Sequence, residues 1–212
     1  MSATQFKATL PGFEHIKRYV DNGRNIVVAK ILPGEFYVTK EKEAIATVLG
    51  SCISACIWDE YAGLGGMNHF MLPLKGNNHG QEMWEFHDSY SCRYGIWAME
   101  CLINEIIKHG GHRNRMKVKL FGGGNIIKEM QTPIGEQNIA FAKEFILKEE
   151  LPLVASDMGG PWPRKVLFYP QEGKGLVKRL QSMHNDTIKL REVKYRSKIE
   201  KPEHETSDIE LF

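Results

Sequence analysis

No run of apolar residues in this chain approaches the roughly 20 that a membrane-spanning helix needs. The first residues, Met1 to Lys7, lack the apolar stretch of a secretory signal, so the protein is expected in the cytoplasm. Formal net charge is only +2 over 212 residues, too weak a field to select nucleic acid or an anionic bilayer. The four cysteines, Cys52, Cys56, Cys92 and Cys101, do not make a small disulfide scaffold, and in a reducing compartment they are expected as thiols. The spacing of Cys52 and Cys56 is not that of a zinc-ribbon pair and no second CxxC-type pair follows, and neither HExxH nor a paired-carboxylate spacing supports a metal. Phe121-Gly122-Gly123-Gly124-Asn125 is glycine-rich but has no P-loop lysine and is not GxGxxG. A tight strand exit or close backbone packing is its better reading. No cofactor is therefore expected, and no nucleic-acid partner or membrane insertion.

What is present is an ordinary globular composition, 42% hydrophobic and 25% charged, enough for a sizeable core in one domain. Short β-rich runs occupy residues 26–32, 35–39, 44–49, 53–58 and 66–72, with a turn at Pro33-Gly34, and read as a sheet made of hairpins. A short helix is expected around 13–20. A long helix capped by Asp88 or Ser89 carries Tyr94, Trp97, Ala98, Cys101 and Leu102 on one face, with Tyr94 and Trp97 read as core. A strand at 117–121, a helix at about 135–149 and strands at 153–156, 165–169 and 175–180 follow. The fold class is α+β: a layered αβ sandwich with a mainly antiparallel sheet built of hairpins and two main helices. Residues 1–25 read as an N-terminal extension, 26–181 as the catalytic domain, and 182–212 as a charged, flexible tail.

The chemistry concentrates between Thr47 and His69. A cysteine nucleophile needs a partner that takes its proton, and histidine does this best near neutral pH. If 53–58 and 63–72 form a hairpin with loop 59–62, Trp58 pairs with Gly63 and, counting outward, Cys52 pairs with His69. Opposed side chains lie about 4.5–5.5 Å apart at Cβ and share a face. Gly50 and Ser51 place the thiol after a tight turn, where backbone N–H groups could meet an oxyanion. Thr47 is the candidate third member that orients His69. Each residue has a plainer reading: a cysteine in a strand is usually a small buried hydrophobe, a role that Cys56 fits better. A strand histidine is usually just hydrogen-bonded, and threonine is an ordinary β-former. His79 and His87 read as solvated loop residues and Asp157 as the cap of a turn.

Collinear motifs resemble the chemoreceptor glutamine deamidase family, CheD. They are Leu49-Gly50-Ser51-Cys52, Gly66-Met67-Asn68-His69-Phe70-Met71-Leu72-Pro73, Phe121-Gly122-Gly123-Gly124, Ile134-Gly135-Glu136-Gln137-Asn138, and Asp157-Met158-Gly159-Gly160 with Arg164-Lys165-Val166. The resemblance implies an αβ sandwich, a shallow surface site, and hydrolysis of glutamine side chains on methyl-accepting chemotaxis receptors through a thioester, with receptor methylesterase as a second activity. It makes Cys52 the nucleophile and His69 the base, and puts the family's threonine one place before Thr47, at Ala46. A CheC-type phosphatase is the implied regulatory partner. Two other classes stay open: a non-catalytic binding partner of such a phosphatase, and another small cysteine amidohydrolase.

Overall fold

The computed structural model describes residues 6–72, 90–126, 134–180 and 186–199. Among them lie β1 (Lys17–Asp21), β2 (Ile26–Lys30), β3 (Phe36–Thr39), β4 (Glu43–Leu49), β5 (Ile53–Asp59) and β6 (Leu64–Asn68). Helix α1 (Tyr90–Lys108), β7 (Lys117–Gly122), α2 (Ile134–Lys148), β8 (Leu153–Met158), β9 (Arg164–Tyr169), β10 (Lys174–Arg179) and α3 (Asp186–Ile199) follow. The expected loop at 75–81, His79, His87 and the cap at Asp88 or Ser89 fall outside the described residues.

The strands divide into two five-stranded sheets. One has the order β1-β2-β4-β9-β10 and the other β3-β6-β5-β7-β8. The fold class is α+β as expected, but the sheets are mixed: β2 runs parallel to β4, and β7 parallel to β8. Residues 13–20, expected as a short helix, instead lead into β1, which pairs antiparallel with β2, while Phe13 and Ile16 are buried in the core. Edge pairing and burial of these apolar residues outweigh a weak local helix pattern. The stretch expected as a tail contains α3, whose Ile188, Glu192 and Ile199 are buried.

Alternation along the strands sorts residues between the layers. On β4, Ile45 and Leu49 enter the main core, while Ala44 and Ala46 join Val28 and Leu167 in a smaller cluster on the other face. Strand β5 is wholly buried, as expected of a strand covered on both faces. On α1, Ala98, Met99, Leu102, Ile103 and Ile106 face inward. Tyr94 is half-buried, and Trp97, expected in the core, is exposed, because the inward stripe of α1 runs through Ala98 and Met99 instead. Cys56 is buried in the core, the hydrophobe that its position on β5 suggested.

Candidate functional site

The chain crosses from one sheet to the other at the link between β4 and β5, and this crossing is Gly50-Ser51-Cys52. Two neighbours hold its three carbonyls. The glycine-rich exit of β7 donates Gly123 N to the Cys52 carbonyl (2.8 Å) and Gly124 N to the Gly50 carbonyl (2.7 Å). Gly122 has φ of +111°, and a Cβ there would lie 2.1 Å from the Cys52 carbonyl oxygen, so only glycine fits. From α2, buried Asn138 donates Nδ2 to the Ser51 carbonyl (2.8 Å) and accepts from Leu72 N (2.9 Å). The glycine-rich motif is therefore the backbone support of the cysteine turn, consistent with the close-packing reading.

The hairpin register differs from the expected one. Asp59 pairs with Leu64 and Trp58 with Gly65, leaving residues 60–63 as the loop. Ile53 then bridges to Phe70, exchanging two backbone hydrogen bonds of 2.9 Å. The partner of Trp58 has moved from Gly63 to Gly65, a two-residue step. Side-chain parity survives such a step, so Cys52 and His69 keep one face and stand as diagonal neighbours instead of directly opposed.

His69 is 2% exposed. Its Nδ1 lies 2.8 Å from the Thr47 hydroxyl, which itself donates to the Ile31 carbonyl at 2.9 Å. With its one proton committed to Ile31, the Thr47 oxygen accepts from Nδ1–H, which leaves the lone pair on Nε2. Nε2 has no hydrogen-bond partner at all, the Cys52 thiol included. Burial first, and then the positive charge of Arg191, push the His69 pKa down to about 3. The imidazole is therefore neutral, a base with a free lone pair. Ala46, where the resemblance placed the threonine, belongs to the small cluster on the opposite face of β4. Thr47 has the geometry.

Cys52 is fully buried. Burial first, and then the charge and hydrogen bonding of Glu192, raise its thiol well above the usual range. Glu192 reaches in from α3. Its carboxylate accepts Gly50 N (2.8 Å), Cys52 N (3.3 Å), Ser51 N (2.9 Å) and the Ser51 hydroxyl (2.7 Å). The backbone donors of Gly50, Ser51 and Cys52 thus all point to this one carboxylate. The site is not a shallow open surface, as the resemblance implied, because α3 lies over it. Sequence reading missed Asn138 as a positioning residue and Glu192 altogether. Asn138 could have been flagged from its place in the Ile134–Asn138 motif that opens α2. Glu192 sits in a charged stretch with no local signal.

Asp157, read as a turn cap, instead forms ion pairs with Arg164 (2.6 Å) and Arg179 (2.9 Å). Among the described residues no group of three or more His, Cys, Asp or Glu is placed to hold a metal. None of the described helices is long and apolar enough to cross a membrane.

The class so defined is a two-sheet αβ sandwich with a thiol, an imidazole and a hydroxyl gathered where the chain changes sheets. Residues 71–179 match the family model CheD, described as CheD chemotactic sensory transduction. The chain is 46% identical over 204 residues to the probable chemoreceptor glutamine deamidase CheD of Halorhodospira halophila, covering 96% of this chain and 93% of that protein. It is 47% identical over 197 residues to the protein of the same name from Hydrogenovibrio crunogenus, covering 93% and 100%. A third such protein, from Saccharophagus degradans, is 44% identical over 210 residues, covering 98% and 95%. The chain belongs to the CheD family.

Proposed function

We propose that this protein is a cytoplasmic protein-glutamine deamidase that converts selected glutamine side chains of methyl-accepting chemotaxis receptors to glutamate. The observation that carries this reading is the Thr47–His69 hydrogen bond of 2.8 Å, which leaves the buried Nε2 lone pair unpartnered on a residue that hairpin parity puts on the same face as Cys52. His69 takes the thiol proton, and Cys52 Sγ attacks the carboxamide carbon. The N–H groups of Gly50, Ser51 and Cys52 hold the developing oxyanion. Ammonia leaves with the proton from His69. Water, activated by the same imidazole, then hydrolyses the thioester and restores the thiol. Thr47 positions His69 and touches no reacting atom. A receptor methyl ester would enter the same thioester with methanol leaving, so methylesterase activity belongs to the same proposal. A CheC-type phosphatase is the proposed regulatory partner, on the family resemblance.

The test is incubation of a receptor cytoplasmic fragment with wild type, Cys52→Ala and Thr47→Val, read by peptide mass spectrometry and by ammonia assay. Wild type is expected to add about 1 Da per converted amide, with one ammonia released each and no chain cleavage; Cys52→Ala loses the attacking group and converts nothing. Thr47→Val, with His69 unanchored, is expected to slow by about 10- to 100-fold. Conversion by Cys52→Ala, or cleavage of the peptide chain, rejects the proposal.

A further inference from the structure

The Glu192 carboxylate is an unusual occupant of an active site. It is 3% exposed, and both its oxygens are held by the backbone and hydroxyl of Gly50, Ser51 and Cys52. Among the described residues no lysine or arginine forms an ion pair with it, so the cradle itself supplies the stabilisation. Gly50 permits the approach: a Cβ there would lie 2.7 Å from Glu192 Oε1. A glutamate side chain projecting from a helix into an oxyanion cradle beside the nucleophile has the chemistry of the reaction product.

We propose that α3 is an intramolecular product mimic, which lays Glu192 where the new carboxylate of a receptor glutamate would lie and holds the enzyme closed until a substrate helix displaces it. This deepens the function proposed above and rests on it. The closed form accounts for the idle state of the site. The carboxylate of Glu192 accepts from Cys52 N at 3.3 Å, its negative charge disfavours the thiolate beside it, and His69 Nε2 is left with no partner. Departure of α3 removes the negative charge from the thiol, and frees it to meet Nε2. The helix is built to be displaced. Ile188, Glu192, Tyr195 and Ile199 recur at steps of four, three and four, forming one inward stripe, while Leu190 is 69% exposed. Tyr195 meets the Tyr94 hydroxyl through its own and packs over Gly34. A helix of 14 residues with so narrow an apolar stripe has little stability of its own.

The full-length Glu192→Gln variant turns this geometry into a reaction. Cys52 Sγ bonds to the introduced amide carbon and the C–N bond breaks. The thiol proton leaves through His69 with ammonia, and water splits the thioester to leave a carboxylate and the free thiol. The peptide spanning position 192 is expected to gain about 1 Da over hours, and to stay unchanged when Cys52→Ala is added. In a second arm without receptor, Glu192→Ala is expected to speed iodoacetamide alkylation of Cys52 at least tenfold, with buried Cys56 labelling at the wild-type rate. If Cys56 labels faster too, the fold has loosened, and Tyr195→Ala, which unseats α3 without touching the cradle, is read by the same criterion. Wild-type alkylation of Cys52 in the variant so read overturns the inference. So does an amide at position 192 that stays intact in an enzyme that deamidates a receptor fragment. Fast alkylation without any receptor conversion leaves the closed form standing and rejects the proposed function instead.

Discussion

His69 has one nitrogen tied to Thr47, the other empty, and almost no water. That combination links the residue to folding as well as to chemistry. Its pKa in the folded protein is depressed from 6.5 to about 3, first by burial and then by Arg191. The unfolded chain therefore binds a proton that the folded protein refuses between those two values. The stability contributed by the neutral ring is present above the unfolded pKa and is lost as pH falls toward the folded one. Between pH 7 and pH 5 the wild type is expected to lose about 2 kcal/mol more than His69→Gln, measured by urea unfolding at both pH values. Parallel losses in the two proteins would show that His69 is solvated. That Cys52 and His69 share a face was legible in the sequence because they flank the β5–β6 hairpin, where parity fixes the face; Thr47 comes from the other sheet, and only its nearness in sequence to Cys52 singled it out. Glu192 was not legible, since it meets Cys52 across 140 residues and belongs to a stretch whose composition matches a solvated tail.

The turn Gly50-Ser51-Cys52 belongs to no strand, and its shape is imposed by the elements around it. The exit of β7 holds two of its carbonyls and Asn138 of α2 holds the third. Asn138 also satisfies Leu72 N, so one amide ties α2 to the turn and to the segment just past His69. Asn138→Ala leaves a buried carbonyl and a buried N–H without partners, a loss of about 2–4 kcal/mol. Because these groups set the direction of the cradle, kcat at a temperature where the variant is folded is expected to fall at least tenfold. A destabilised variant with wild-type kcat would mean that the β7 exit alone fixes the turn. Most strands were legible from alternation and turn residues. Their division between sheets was not: β2 and β3 read alike, yet β2 pairs with β4 and β3 with β6. The two-residue register step at the β5–β6 loop was equally hidden, because the loop has the same length in either register and slides as a unit.

At the scale of the whole molecule the site depends on two layers keeping a fixed separation. Thr47 comes from β4 in one sheet, while Cys52 and His69 adjoin β5 and β6 in the other. A 2.8 Å hydrogen bond spans that gap and tolerates little sliding. Further along the same interface, Trp58 of β5 meets Phe168 of β9 edge-on at 6.0 Å, and is 4% exposed. It lies six residues from Cys52, roughly 20 Å along an extended strand. Its contribution is therefore to the adhesion of the layers, and not to the chemistry. Trp58→Ala is expected to cost about 3–5 kcal/mol in urea unfolding, from lost burial and the cavity left behind. Nearer the site, Leu49 of β4 and Phe121 of β7 are buried in the same core, so the layers keep other apolar contacts when the Trp58 ring is lost. Activity per folded molecule is accordingly expected to stay within about twofold of wild type, since interiors close-packed in this way relax only partly around a void. A tenfold fall in kcat with the protein fully folded would show instead that the sheets pivot as rigid bodies, and that the spacing at Thr47 is set by packing at the far end.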